Sequence, residues 1–330
     1  MRILFSAVFI SVILFSCKKK TDPVPEEETP VPTPSKIYPD SVWTATGTGP
    51  RLVFKFKFDS TQVRLDNFGN PSTLASGHGA YSPKFNKMAA HYVELAQNSL
   101  TALGAGKVLY HAPETTKGGS SAIDFGQSTV VRENVVFYSI PLSQVTPGTY
   151  EWLRLSLSYQ NYDIPYKANA LPGNHIGNGT LASFLGFKTY VEKYTIKGQD
   201  FTPSSSVGGP TSNHPQGYWG FETYINGFGY YNLDGQAPAN STTVVNPNFT
   251  NSPIPAGSCV VTARFADMSG TNQLLTVTGS ETQDIVITVS LSTNKSFEWA
   301  EVNTDGYYQP ESGEVPVDMG VRGMIPKVQY

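Results

Sequence analysis

The chain has 330 residues, a net charge of −3, and only 15% charged residues. That balance leaves no electrostatic case for nucleic-acid binding, which needs clustered Lys and Arg to meet phosphates. Thirty glycines, 24 prolines and 12% aromatics point to many turns and few long helices.

The N-terminus reads "MRILFSAVFISVILFSCKKK". Arg2 is a short basic lead, and Ile3 to Phe15 form an apolar run too short to span a bilayer as a helix. The run closes at Leu14-Phe15-Ser16-Cys17. A small residue followed by cysteine at this point resembles the lipobox of bacterial lipoproteins. The resemblance implies a signal peptide over 1–17 whose cleavage leaves Cys17 as the lipid-attached N-terminus. The expected location is the bacterial cell envelope, on the periplasmic or surface face of the outer membrane, with the membrane engaged through the lipid. Each buried methylene contributes about 0.8 kcal/mol, so two or three acyl chains anchor stably. Residues 18–50, opening "KKKTDPVPEEETPVPTPSKIYPD", read as a Pro- and Glu-rich tether with little to bury.

Residues 51–330 read as a β-sandwich domain, either single or divided into two subdomains. "RLVFKFKF" (51–58) alternates strictly, placing Leu52, Phe54, Phe56 and Phe58 inward and Lys55 and Lys57 outward. Segment 86–100, "NKMAAHYVELAQNSL", fits a helix through Met88, Tyr92 and Leu95, but "HYVEL" also alternates; its type stays open. "TVVRENVVFYSI" (129–140) and "YEWLRLSLSY" (150–159) read as strands, followed by "CVVTARF" (259–265), "QLLTVTG" (273–279) and "DIVITVSL" (284–291). Residues 160–180 and 199–217 read as long loops. Strands at this spacing, without interleaved amphipathic helices, predict an all-β fold, an antiparallel sandwich of immunoglobulin-like or jelly-roll-like type. Of the two cysteines, Cys17 is taken by lipid. Cys259 is left without an intrachain partner, as a small buried apolar residue.

The chemistry-bearing motifs are sparse. There is no GxSxG elbow, P-loop, HExxH or EF-hand loop, and the reading leans away from an enzyme. Asp59 and Glu94 form only a nominal acid–base pair, since sequence gives no distance between them. The five histidines (His78, His91, His111, His175, His214) form no HxH or HxxxH pair.

One stretch stands apart. "HPQGYWGFETYINGFGYYNLDG" (214–235) holds seven aromatics and five glycines. Gly217-Tyr218-Trp219, Gly229-Tyr230 and Asp234-Gly235 resemble the aromatic signature of the MbnP-like family of secreted and lipid-anchored β-sandwich proteins. "VTPGTYEWLRLSL" (145–157) and "VDMGVRGMIPKV" (317–328) resemble its flanking segments. Phe221 stands where that family carries a second tryptophan. The resemblance implies copper handling, with a tryptophan oxidised by a redox partner protein and taking part in Cu(I) binding. On that reading Trp219 is the residue to be modified and His214 a metal ligand, with Tyr218, Trp219, Phe221 and Tyr230 as ligand-binding aromatics. Two other readings of the same residues stay open: a strand pair whose rings fill the core, and a sugar-stacking platform in a glycan-binding or adhesion lipoprotein.

Overall fold

The first strand sets the rule that most others follow. In β1 (Arg51–Asp59) Leu52, Phe54 and Phe56 are fully buried while Lys57 is exposed, as a period of two requires. The computed structural model describes residues 45–65, 70–168, 175–238 and 258–330, which lie in one compact unit. The signal peptide, Cys17 and tether residues 18–44 lie outside the described residues. Among the described residues there is no α-helix, and thus none long and apolar enough to cross a membrane.

β2 (His78–Tyr81) and β3 (Lys84–Ala96) follow. β3 settles the open segment as a strand. It is hydrogen-bonded on both sides and buried on both faces, so its simple alternation is lost and its apolar spacing imitates a helix. Next come β4 (Lys107–His111), β5 (Glu114–Thr115), β6 (Ala122–Asp124), β7 (Val136–Pro141), β8 (Gly148–Tyr150) and β9 (Trp152–Ala168). The strand expected over 129–140 begins only at Val136, after Asn134 turns the chain with a φ of 63°. In β9, Leu153, Leu155 and Leu157 all enter the main core.

β10 (His175–Phe184) pairs with β9 from Tyr159 to Ala168. The loop expected over 160–180 is therefore a strand pair, apart from 169–174, which lie outside the described residues. Its Asn, Gly and Pro content suggests a loop, but Tyr162, Ile164 and Tyr166 alternate into the interior and Asn161 is satisfied by the Ile196 carbonyl at 2.8 Å. The expected loop 199–217 carries only short strands. β11 (Lys188–Tyr190), β12 (Tyr194–Thr195), β13 (Asp200–Phe201) and β14 (Asn213–Pro215) lead to the hairpin of β15 (Tyr218–Ile225) and β16 (Gly229–Gln236). The chain ends with β17 (Cys259–Arg264), β18 (Leu275–Val277), β19 (Ile285–Ser292), β20 (Phe297–Ala300), β21 (Pro316–Asp318) and β22 (Met324–Gln329).

Two sheets form the sandwich. One runs β22-β19-β1-β7; the other runs β16-β15-β10-β9-β3-β4, with β17 also on β9. All their pairings are antiparallel except β1 with β19. The core between them holds Phe54, Phe56 and Phe137 from the first and Val93, Leu95 and Leu155 from the second. The rings of Phe56 and Phe137 stack 4.0 Å apart.

At the register shift where Ala89 faces Tyr159 and Ala90 faces Leu157, the first pair enters a second cluster on the outer face of the large sheet and the second pair enters the main core. That outer face is covered by the small sheet β14-β11-β6-β5, over the second cluster of Ala89, Tyr159, Phe184, Tyr194 and Tyr218. A third cluster joins Tyr162 and Leu181 to Phe297, Trp299 and Met319, near the sheet β2-β20-β21. Residues 45–50, expected as tether, are docked on the domain. The Ala45 amide donates to Ser139 O at 3.1 Å, and Arg51 Nη2 donates to Ala45 O at 2.7 Å. Cys259 is buried in the main core, and burial pushes its thiol up to about 12.

Candidate metal centre

Three metal-binding side chains converge where β3, β4 and β5 meet. His91 lies inside β3, His111 ends β4, and Glu114 opens β5. β3 and β4 pair with Tyr92 opposite His111, and a register shift between Ala90 and Tyr92 makes His91 the extra residue opposite β9, where its ring meets that of His111. Ala112 and Pro113 then turn the chain. The Ala112 amide donates to His91 O at 2.7 Å, and the Asp124 amide donates to Pro113 O at 3.0 Å. Proline interrupts the ladder here and redirects Glu114 into the small covering sheet.

The resulting geometry is compact. Nε2 of His91 and Nε2 of His111 each lie 3.1 Å from Glu114 Oε1. One ligand atom from each of the three residues falls within 4.8 Å of the others. The imidazole rings meet at 4.8 Å with a 60° interplanar angle. A tetrahedral ion bound at the usual 2.0–2.1 Å needs donors about 3.3 Å apart, so modest rotation of side chains closes the set. The site has an inside and an outside: His91 is fully buried, whereas the His111 side chain is 42% exposed. Ser121, on the turn before β6, donates its hydroxyl to Glu114 Oε2 at 2.5 Å.

The electrostatics suit a cation. The hydrogen bond from His91, followed by that from Ser121, holds the Glu114 carboxyl down at about 2 against the opposing effect of burial. Burial lowers the His91 pKa, an effect that outweighs its bond to Glu114, so the ring is neutral near pH 7, and binding an ion at Nε2 requires the tautomer with its proton on Nδ1 in place of the hydrogen bond to Glu114. His91 Nδ1 is buried without a protein hydrogen-bond partner.

The residues predicted from the aromatic stretch are dispersed. His214 is buried in β14, its ring stacked 4.2 Å from that of Tyr218. Neither ring nitrogen has a well-aligned partner, although the backbone of Val207 and Gly209 lies near, and burial lowers its pKa. Glu114, Ile123, Thr189 and His214 form one row across the covering sheet. Three strand spacings put His214 roughly 14 Å from Glu114 along that row. Trp219 lies on the opposite face of β15 from Tyr218, in the third cluster, with its indole over Gly235. The structure does not bring His214 and Trp219 together. Tyr218 is fully buried and donates to Asp234 at 3.0 Å. Phe221 lies over Gly179. Tyr230 is 56% exposed and meets Tyr224 edge-on at 5.0 Å.

The nominal acid–base pair also separates. Glu94 is fully buried and accepts from the amides of Gly104 and Gly106 at 3.0 and 2.7 Å, a turn-closing role. Asp59 caps its own turn through Thr61.

The chain matches no family model, no curated protein and no solved structure. The centre therefore rests on its geometry. Two imidazoles and one carboxylate, with one side open to solvent, form a donor set for a borderline transition-metal ion.

Proposed function

We propose that this chain is a cell-envelope lipoprotein whose β-sandwich binds a transition-metal ion, with copper as the leading candidate. His91, His111 and Glu114 are the ligands. The observation that supports this reading is the convergence of their three ligand atoms within 4.8 Å, one of them on a fully buried histidine. On this reading the sandwich carries the metal, Cys17 carries the lipid, and His214 belongs to packing. Equilibrium dialysis of the purified mature domain against copper and zinc tests it. One ion per chain is expected. His111→Ala, at a half-exposed position, weakens binding at least about tenfold, or 1.4 kcal/mol, without loss of fold. His214→Ala leaves the affinity unchanged. Binding that is absent, or that is indifferent to His111→Ala, refutes the assignment.

One observation favours a second reading. Tyr224, Phe228 and Tyr230 are each more than half exposed around the β15–β16 turn, as a sugar-stacking surface of a glycan-binding lipoprotein requires. Quenching of intrinsic fluorescence by an oligosaccharide panel, abolished by Tyr230→Ala, tests that alternative.

A further inference from the structure

The donors of the proposed centre differ in kind, and that difference bears on which ion they take. The carboxylate of Glu114 is a hard oxygen donor. A monovalent copper ion gains little from it, being satisfied by two or three soft or nitrogen donors, whereas a divalent ion gains both charge and a third ligand. No sulfur reinforces the site on the described residues. Cys259, Met88 and Met324 belong to the main core, Met319 to the third cluster, and Met268 lies exposed beyond β17.

Ser121 decides how the carboxylate is presented. Its hydroxyl holds Oε2 at 2.5 Å, so that Oε1 alone lies at 3.1 Å from both imidazoles. The Glu114 side chain thus offers one oxygen to the centre. Ser121 itself is exposed, on the turn between β5 and β6, and has no place in the core. The outer side, where His111 is 42% exposed, leaves room for water to complete a four-coordinate divalent ion.

Building on the metal-binding reading, we infer that the centre selects divalent ions, Cu²⁺ or Zn²⁺, over Cu⁺, with Glu114 as the selecting ligand and Ser121 as its positioning residue. Partners that orient a metal ligand typically contribute 10- to 100-fold to affinity.

The experiment measures Zn²⁺, Cu²⁺ and, anaerobically, Cu⁺ affinities by chelator competition, together with the Cu²⁺ electron paramagnetic resonance spectrum. The proteins are wild type, Glu114→Gln, Ser121→Ala and Ser121→Thr, each checked for native circular dichroism. Glu114→Gln lowers both divalent affinities by about 100-fold and the Cu⁺ affinity by less than about tenfold. Ser121→Ala lowers the divalent affinities about 10- to 100-fold and alters the Cu²⁺ spectrum, and Ser121→Thr restores both. Equal losses of Cu⁺ and divalent binding in Glu114→Gln, or an unchanged spectrum and affinity in Ser121→Ala, overturn this inference while leaving the metal centre standing. A wild-type protein that binds none of the three ions removes the centre, and the inference with it.

Discussion

Gly179 and Phe221 offer the sharpest test of what the aromatic stretch does. A Cβ built on Gly179 falls 2.0 Å from Phe221 Cζ and 2.2 Å from Cε2. An ordinary contact is about 3.5 Å or more, so Gly179→Ala forces the ring to move by roughly 1.5 Å. The ring is not free to do so without loss, because it sits edge-on to Tyr166 at 5.5 Å and packs against the third cluster. Overpacking of this kind costs about 1–3 kcal/mol. Gly179 is extended rather than left-handed, so alanine brings no backbone strain and itself stabilises the strand by about 0.5–1 kcal/mol. The net expectation is a loss of about 1–2 kcal/mol. In a Phe221→Ala background the clash vanishes and only the backbone gain remains, so the same Gly179→Ala becomes neutral or stabilising by about 0.5 kcal/mol. Urea unfolding of the four proteins, followed by circular dichroism, reads this change of sign. If Gly179→Ala costs the same in both backgrounds, Phe221 does not fill the glycine gap and is available for a ligand after all.

Two further outcomes follow from the core and its buried histidines. Phe56→Asp places a charge on a fully buried ring position and costs more than about 4 kcal/mol, whereas Lys55→Asp costs less than about 1 kcal/mol; comparable losses in thermal unfolding would mean a mistaken register. His91 and His214 are both held below the ordinary histidine pKa by burial, so the unfolded chain takes up protons first as pH falls. Their contribution is present above pH ~6.5 and is lost below it, by up to about 1.4 kcal/mol per pH unit for each. Asp318, pushed up to about 6 by burial, acts in the opposite sense, so the comparison is between variants. His91→Gln and His214→Gln each flatten the fall in stability between pH 7.5 and 5.5, and unchanged slopes would contradict their burial.

Much of the fold was legible because half-buried strands write their period into the sequence. β1, the first half of β9 and β19 announce themselves through alternation, and the sandwich follows from their number and spacing. The failures have a common cause. β3 is buried on both faces, so its pattern blurs into a helical one. The end of β9 and the start of β10 carry Asn, Pro and Gly because long-range contacts, not local propensity, satisfy them: Asn161 through Ile196, and Gly179 through Phe221. The parallel pairing of β1 with β19 joins residues more than two hundred positions apart and leaves no local mark.

The candidate site was illegible for a related reason. The one local trace is His111-Ala-Pro-Glu114, a histidine and a carboxylate flanking a proline that ends a strand. Its meaning depends on His91, which reaches the site through the antiparallel pairing of β3 with β4 and the register shift between Ala90 and Tyr92 that makes His91 the extra residue opposite β9. A one-residue slip would send His91 to the other face of the sheet, into the main core. The aromatic stretch, by contrast, was conspicuous because its chemistry is concentrated in sequence, yet its alternation disperses that chemistry in space. Tyr218 goes to one face of β15 and Trp219 to the other, while Tyr230 is left outside. Proximity along a strand places neighbours on opposite sides of a sheet. A metal centre in an all-β protein is therefore assembled from residues on different strands, as His91 on β3, His111 on β4 and Glu114 on β5 are.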